Sequence, residues 1–344
     1  MADYQTISQP KSEDPFPPKH HKDIESQSCR SSSSSSLLNQ PSPVLTSNPK
    51  TWIRGIPFLV WQFTENDFPT FIIPNSAFGI FGALAGSRLF DGPSPPPSVR
   101  EVLCRIPVVI AYNWYMTFIF DLANQRSPES VEEDRINKPW RPIPAGYATS
   151  EHARWLLLGF VPLALAANWF LGVWEEGIWI LVLVWMYNDL RGGDHMLRDP
   201  LIAAGSLGFN GGSLRLAGGG ADRTVSDEGR MWTVMIALVI LTTGYIQDLK
   251  DQVGDKTRDR KSVPILLGDG LCRVVIGSFI LGWSVVCAYF WRLTWWAAVL
   301  PIALGAGIGM NGLLRRNREA DYATWRTWCF WLIVLFVLPV LSRF

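Results

Sequence analysis

Three aspartates near the end of one apolar segment have the side-chain type and the spacing to bind a metal ion together. Asp248, Asp251 and Asp255 stand at positions i, i+3 and i+7 in the stretch QDLKDQVGDKTRDRK. On a helix, this spacing places the three carboxylates on one face, where they repel one another unless a cation lies between them. Proteins bind Mg²⁺ through a few carboxylates together with phosphate oxygens of a substrate. The spacing therefore predicts a magnesium site.

Basic side chains follow these aspartates directly. They are Lys256, Arg258, Arg260 and Lys261. Carboxylates for a metal beside cations for an anion are the combination that a diphosphate site requires. A solvated loop of mixed charge is the alternative interpretation, but acidic residues in register at the mouth of a membrane protein are costly and usually functional. We therefore favour a diphosphate site.

The loop of residues 123–152 repeats this order of charges. Glu132, Glu133 and Asp134 are followed by Lys138 and Arg141, which lie among three prolines. Proline fixes φ, so the segment that presents these two basic side chains is stiff. The loop is therefore a candidate partner of the aspartate cluster, whereas an ordinary loop that caps two helices is the alternative.

Tyr187 and Arg191 form a smaller third group. They lie four residues apart, so both can face one site if they share a helix. Tyr and Arg are also common at membrane interfaces, which is the alternative interpretation of this pair.

Apolar segments must position these loops. Of the 344 residues, 48% are hydrophobic and 18% are charged, and mean hydropathy is +0.13 although the first fifty residues are polar. This disfavours a soluble enzyme and predicts an all-α, polytopic membrane protein, because about 20 apolar residues span a bilayer. Nine segments qualify: 69–89, 102–122, 153–173, 177–190, 199–219, 231–248, 271–291, 295–314 and 325–342. The fifth is rich in glycine, which suits close approach of helices.

The distribution of basic residues predicts the orientation. Loops after the second, fourth, sixth and eighth segments carry 14 Lys and Arg, and the opposite loops carry four. Basic loops face the cytosol, so we expect both long loops and the N-terminus there, in the endoplasmic reticulum membrane. Residues 1–51 are rich in Ser and Pro and predict a disordered cytosolic tail, which leaves 52–344 as the membrane domain.

Several other classes are disfavoured. A net charge of +1 gives no overall field for nucleic acid. Five scattered cysteines without a CxxC pair support neither a disulfide framework nor a zinc site. A transporter or receptor would carry ionisable groups near mid-membrane. The apolar segments here are nearly uncharged, with Arg215 as the exception. The charges gather at one mouth, which favours an interfacial enzyme.

The motifs and their order resemble the UbiA superfamily of intramembrane prenyltransferases over about residues 52–344. The family has two Asp-rich motifs, and the second matches Asp248, Asp251 and Asp255. The stretch NKPWRPIPAG after Asp134 also matches the family, as does a YxxxK-like element that begins at Tyr187 and has Arg191 as its basic residue. The first Asp-rich motif keeps only Asp134, and Asn124-Gln125 replaces its Asn-Asp pair. This form is similar to a fungal branch that includes UbiA-type terpene cyclases.

The resemblance implies a nine-helix bundle whose central cavity opens to the cytosol, and Mg²⁺-dependent ionisation of a prenyl diphosphate drawn from the lipid bilayer. The implied metal ligands are Asp134, Asp248, Asp251 and Asp255. The implied diphosphate ligands are Lys138, Arg141, Tyr187, Arg191 and Arg258. Tyr112 and Tyr115 are expected to face the resulting cation, and Asn124 to position an acceptor or a proton, although such aromatic residues more often serve packing.

The fate of the allylic cation defines the activity. We expect cyclisation, with farnesyl diphosphate giving a sesquiterpene in secondary metabolism, because the altered first motif resembles the cyclase branch. Transfer to an aromatic or meroterpenoid acceptor is the alternative enzyme activity. A protein that binds isoprenoids without turnover is the alternative outside enzymes.

Overall fold

The computed structural model describes residues 49–219 and 223–342. The tail predicted for residues 1–51 therefore lies, up to residue 48, outside the described residues. Within the described ranges the α-helices are α1 (Pro49–Thr64), α2 (Ile73–Leu84), α3 (Val99–Gln125), α4 (Pro128–Asn137), α5 (Ser150–Leu171), α6 (Trp174–Asn188), α7 (Arg198–Gly218), α8 (Asp227–Thr243), α9 (Gln252–Thr257), α10 (Val263–Leu267), α11 (Asp269–Phe290), α12 (Trp295–Leu314) and α13 (Arg318–Leu341).

Shorter elements complete the described part. A π-helix, Phe68–Ile72, leads into α2, and a 3₁₀-helix, Gly244–Leu249, extends α8. Strands β1 (Phe90–Asp91) and β2 (Thr224–Val225) form a small antiparallel pair. The prediction of an all-α fold is confirmed, because these two-residue strands are the sheet structure of the described residues.

Each predicted apolar segment contains a helix. Six of the helical segments are long and apolar enough to cross a membrane by length and composition: α3, α5, α8 with its 3₁₀ extension, α11, α12 and α13. The first, fourth and fifth predicted segments correspond to Phe68–Leu84, α6 and α7. Nine crossings therefore stay a prediction. Arg215, the charge inside the fifth segment, lies in the last turn of α7, where its Nη1 donates to Glu176 Oε1 at 3.0 Å.

Local sequence explains where the helices begin and end. Ser98 and Glu101 form a capping box at the start of α3, so two backbone N–H groups that the helix leaves unpaired gain acceptors. Gly172 ends α5 at φ +72°, a left-handed conformation that glycine adopts without a steric penalty.

Glycines in α7 bring neighbouring helices into contact, as their number predicts. A Cβ on Gly208 would lie 2.7 Å from Ile180 of α6, and one on Gly212 would lie 2.3 Å from the Tyr112 hydroxyl of α3. A glycine of the neighbouring helix α2 also allows close approach, because a Cβ on Gly79 would lie 2.4 Å from the Ser213 backbone of α7. Gly205 differs, because a Cβ there would meet nothing within 4 Å. Three helices therefore pack on α7 at distances that exclude side chains, and Gly205 faces open space.

The two long loops are themselves folded and meet at one end of the bundle. The first contains α4, and the second contains α9 and α10. Asn137 Nδ2 at the end of α4 donates to the Asp251 carbonyl at 3.1 Å, and Gly254 of α9 lies against the same asparagine. This contact joins the two charge-bearing loops directly.

The expectation that three aspartates share one continuous helix is wrong. Asp248 lies in the 3₁₀-helix, Asp251 precedes α9 as its N-cap, and Asp255 lies inside α9. A 3₁₀-helix has about 3.0 residues per turn instead of 3.6, and the helix is interrupted at Asp251. Both features rotate the three side chains relative to the expected common face.

Candidate active site

A cavity of about 590 Å³ lies where the two folded loops meet. Acidic and basic side chains share its wall. The acidic ones are Asp67, Glu133, Asp134, Asp248, Asp251 and Glu319, and the basic ones are Lys138, Arg141, Arg198, Lys250, Arg260 and Arg318. The structure therefore brings residues from both predicted charge-bearing loops to a single cavity.

Asp134 and Arg141 form a buried ion pair on one wall of the cavity. Arg141 Nη1 donates to both carboxylate oxygens of Asp134 at 3.0 Å. Burial alone lowers the pKa of Arg141, but Asp134 and Asp67 outweigh this effect and hold the pKa above its usual range. The chain turns after α4, where the Arg141 N–H donates to the Lys138 carbonyl at 3.0 Å, so a residue seven positions on can reach Asp134. Arg141 therefore carries its positive charge at every working pH.

Asp248 pairs with an arginine that the spacing did not predict. Arg198 Nη1, at the start of α7, donates to Asp248 Oδ2 at 2.8 Å and to Asp199 Oδ1 at 3.1 Å. Fifty positions separate Arg198 from Asp248, so no local pattern links them. Arg198 is a lining residue that the sequence analysis missed.

Asp251 is held by lysines. Lys250 Nζ lies 2.5 Å from Asp251 Oδ2. Burial raises the pKa of Asp251, but Lys138 and Lys250 outweigh it and bring the pKa to about 2. Asp251 is therefore an anion throughout the physiological pH range and offers oxygen lone pairs to a hard cation.

Asp255 lies behind the cavity wall instead of lining it. Arg260 Nη1 donates to Asp255 Oδ1 at 3.1 Å and to Glu133 Oε1 at 3.0 Å. Asp255 Oδ2 is buried without a hydrogen-bond partner, and burial raises the pKa of this carboxyl group. Asp134, Asp248 and Asp251 line the cavity, whereas Asp255 does not and instead pairs with the lining residue Arg260.

The donor set suits a cation that shares its coordination with a substrate. Among the described residues, no three Asp, Glu, His or Cys side chains lie close enough to hold a metal ion by themselves. Asp134, Asp248 and Asp251 nevertheless line the same cavity beside several cations. Mg²⁺ commonly takes one or two carboxylates and completes its shell with phosphate oxygens and water. The residues present fit such an ion.

The structure separates the predicted diphosphate ligands into two groups. Lys138, Arg141 and Tyr187 line the cavity. Arg191 does not: its Nε donates to Asp194 Oδ2 at 2.9 Å, and its side chain is 55% exposed. Arg258 also lies outside the lining, where its Nη1 donates to Glu133 Oε2 at 3.1 Å.

The basic residues after Asp255 predicted a positive side chain in the cavity, and one of them does line it. That residue is Arg260 and not the predicted Arg258. No comparable signal marks Arg318, which starts α13 and donates through Nη2 to the Asn137 carbonyl at 2.8 Å.

Of the predicted pocket residues, Asn124 lines the cavity and the two tyrosines do not. Asn124 Nδ2 donates to Asn188 Oδ1 at 3.2 Å. The Tyr112 hydroxyl donates to the Gly208 carbonyl at 3.2 Å, and the Tyr115 hydroxyl donates to Asn168 Oδ1 at 2.6 Å. Both tyrosines lie deeper along α3, where they pack against α7 and α5. Their expected contact with the cavity is therefore not seen.

An apolar pocket of about 80 Å³ adjoins the charged cavity. Residues of α3, α6 and α7 form its wall, and the two spaces share five lining residues: Asp67, Phe71, Phe120, Tyr187 and Ile202. Two edge-to-face aromatic pairs stand here, Phe71 with Phe209 at 4.8 Å and Phe120 with Tyr187 at 5.3 Å between ring centroids. The site therefore has a charged compartment and an adjoining hydrocarbon-like compartment.

Comparisons with known proteins agree with this arrangement. Residues 79–334 match the model of the UbiA prenyltransferase family. Somaliensene A/B synthase of Streptomyces somaliensis is 27% identical over 77% of this chain and 86% of its own length. Diterpene cyclase eriG of Hericium erinaceus is 31% identical over 72% of this chain and 75% of its own. Polyprenyl transferase eriF of the same fungus is 28% identical over 63% of this chain and 71% of its own length.

A solved structure shows the same fold. A UbiA homologue from Archaeoglobus fulgidus, bound to GPP and Mg²⁺, superposes with a TM-score of 0.55 at 11% identity, over 82% of this chain and 99% of that one. The relatives are named as terpene synthases and as prenyltransferases, so the chain is an integral membrane enzyme of one of these two types. It belongs to the UbiA prenyltransferase family.

Proposed function

We propose that this enzyme ionises a prenyl diphosphate with the help of Mg²⁺ and cyclises the prenyl chain. The observation that carries the proposal is the junction of the two compartments. The cavity lined by cations and carboxylates suits a diphosphate, and the adjoining apolar pocket suits the start of its hydrocarbon chain. The two spaces share five lining residues and so lie side by side, as a single amphipathic substrate requires.

The roles that we propose for the cavity residues follow from their positions. Asp134, Asp248 and Asp251 would hold Mg²⁺, which neutralises charge on the departing diphosphate. Lys138, Arg141, Arg198 and Arg260 bind diphosphate oxygens, and Tyr187 stands where the two compartments meet. Arg191 and Arg258, which the sequence suggested for this task, would act indirectly through Asp194 and Glu133. We propose that Asp255 positions Arg260 instead of binding the metal, since it lies behind that arginine.

Cyclisation is supported over transfer by the relatives that cover most of this chain. The relative eriG is named a diterpene cyclase and the somaliensene protein a synthase, whereas the transferase eriF aligns over less of this chain. We propose farnesyl diphosphate as the donor. A longer donor is the first alternative, because the relative eriG is named a diterpene cyclase and diterpenes have longer chains than sesquiterpenes. Transfer to an aromatic acceptor is the second candidate function, favoured by the match to eriF.

The membrane orientation is part of the proposal. The cavity lies at the bundle end that carries the basic loops, and basic loops face the cytosol. We therefore propose an endoplasmic reticulum protein whose active-site mouth faces the cytosol. The donor's hydrocarbon chain would then arrive from the surrounding bilayer.

Product analysis tests the function directly. Microsomes that contain the protein receive geranyl, farnesyl or geranylgeranyl diphosphate without any acceptor, and gas chromatography–mass spectrometry identifies the extracted products. We expect one donor to give a cyclic hydrocarbon, and EDTA to lower its yield at least about a hundredfold, because the departing diphosphate then loses its metal. Added Mg²⁺ should restore the yield. A prenylated phenol that forms when phenolic acceptors are supplied, with no hydrocarbon from any donor alone, would instead establish the transferase.

Gly205 should set the length of prenyl chain that the enzyme accepts. It lines the apolar pocket, and a Cβ added there meets nothing within 4 Å, so Gly205→Leu places its side chain in the pocket. We expect the ratio of kcat/KM for the longest accepted donor to that for the next shorter one to fall at least about tenfold, as pocket volume discriminates by such factors. Gly282→Leu is the matched control, because Gly282 is exposed on α11 with equally free space. Equal ratios in the two variants would contradict the assignment.

A further inference from the structure

Asp67 stands at the junction between the charged cavity and the apolar pocket, and it lines both. It is the N-cap residue of the π-helix, and its carbonyl oxygen accepts hydrogen bonds from the N–H groups of Phe71 and Ile72 at 2.8 and 2.9 Å. Its side chain makes no capping hydrogen bond. π-Helices are rare and occur frequently at functional sites. Here the π-helix fixes the backbone of Asp67, a residue that borders both compartments.

The surroundings of Asp67 change sharply from one side to the other. On the cavity side, Arg141 Nη2 lies 3.9 Å from Asp67 Oδ2, although the same guanidinium makes its short bonds to Asp134. The side chain of Asp121, which is 1% exposed, interacts with Asp67 from within α3. On the pocket side the lining is mostly apolar, and in the described part of the chain Asp67 is its sole carboxylate. Asp67 is therefore the acidic group that a hydrocarbon in the pocket would meet.

Cyclisation ends with a proton transfer, so this step rests on the proposed function. A carbocation in the pocket becomes a neutral hydrocarbon when a C–H bond beside the cationic carbon breaks. The electron pair of that bond forms a C=C bond and fills the cationic carbon, and the proton leaves to an acceptor. The acceptor must lie beside the hydrocarbon if it is to select one C–H bond among several.

We propose that the Asp67 carboxylate is the base that accepts this proton and ends the cyclisation. The proton forms an O–H bond on Asp67, from which it passes to the diphosphate or to solvent in the adjoining cavity. The departing diphosphate is the other possible acceptor. It lies in the charged compartment, so it would reach C–H bonds near the original allylic end, whereas Asp67 reaches the pocket.

The experiment compares Asp67→Asn with wild type in microsomes supplied with the donor that wild type cyclises. Pyrophosphate release reports ionisation, and gas chromatography–mass spectrometry reports the products. Asn keeps the shape of the side chain but is not a base. We expect pyrophosphate release to persist, while the share of the wild-type hydrocarbon among all products falls at least about a hundredfold, the lower end of what a positioned base contributes. Alcohols from water capture, or isomeric hydrocarbons from other proton losses, should replace it.

Two further variants complete the test. Glu65→Gln removes a carboxylate two positions away that is exposed and does not line either compartment, so its product profile should match wild type. Asp67→Glu keeps a carboxylate on a longer stem, and it should recover part of the wild-type hydrocarbon that Asp67→Asn loses. This recovery separates a base from a residue that only shapes the pocket.

Each other outcome overturns a stated claim. An unchanged hydrocarbon profile in Asp67→Asn shows that another acceptor takes the proton. Loss of pyrophosphate release together with the products places Asp67 at or before ionisation, which contradicts its role as the final base. Absence of any hydrocarbon from wild type, with prenylated acceptor found instead, removes the cyclase function itself, and the proposal for Asp67 falls with it.

Discussion

Asp251→Asn should lower turnover of any prenyl diphosphate by about 10²–10³-fold, the cost of removing one preorganised charged group from a site where charge develops. Asp251 lines the cavity as a permanent anion, since Lys138 and Lys250 bring its pKa to about 2. Asparagine has nearly the same shape but removes the negative charge that a divalent cation requires. The measurement is pyrophosphate release at saturating Mg²⁺.

The matched control for this variant lies in the same loop. Asp259 is exposed, does not line the cavity and has φ +53°, a conformation that asparagine tolerates at least as well as aspartate. Asp259→Asn should therefore keep wild-type turnover. Full activity of Asp251→Asn would show that this aspartate has no part in metal or diphosphate binding.

Arg141 should be the residue whose loss damages both stability and turnover. It is buried and donates to both oxygens of Asp134, so Arg141→Met leaves a buried carboxylate without a partner. Breaking a buried ion pair in this way costs about 3–5 kcal/mol, and we expect a clear fall in the melting temperature of the detergent-solubilised protein. Turnover should fall with it by at least about a hundredfold, since a diphosphate ligand is lost as well.

Arg141→Lys separates these two effects. Lysine keeps the positive charge but has a single nitrogen, so it cannot pair with Asp134 through one nitrogen and offer a second one, in the planar geometry of a guanidinium, to a diphosphate. We expect most of the stability to return, whereas turnover should stay at least about tenfold below wild type. Arg135→Lys is the control, because Arg135 is exposed and pairs with Glu132 at the surface. Wild-type turnover in Arg141→Lys would show that the charge alone suffices.

Local patterns predicted the helices well because each pattern is complete within its own segment. All nine apolar segments contain a helix, and the glycines of α7 predicted its close packing against α3 and α6. Helices α1, α4, α9 and α10 and the π-helix were not predicted. Helix α4 is mostly polar, so it has no apolar face to reveal it, and the π-helix before α2 differs from an α-helix only in its hydrogen bonds.

The candidate site was predictable where alternate loops must meet. Loops after even-numbered segments share one end of the bundle, so Asp134, Asp248 and Asp251 were expected together, and all three line the cavity. Their partners were harder to predict, because Arg198 reaches Asp248 across fifty positions. Asp255 does not line the cavity with them, because the three aspartates do not share one continuous helix. Asp67 gave no signal, because a single acid before an apolar segment is common.

The ion pairs in the cavity wall also bear on the order in which ligands bind. Asp134, Asp248 and Asp251 each already hold a cationic side chain, namely Arg141, Arg198 and Lys250. A diphosphate attracts those same cations, and each one that it draws away exposes carboxylate oxygens to a divalent ion. Occupancy by either ligand then raises the affinity for the other, and this thermodynamic coupling is reciprocal. A wall of internally paired charges would thus favour simultaneous loading and resist trapping the metal alone.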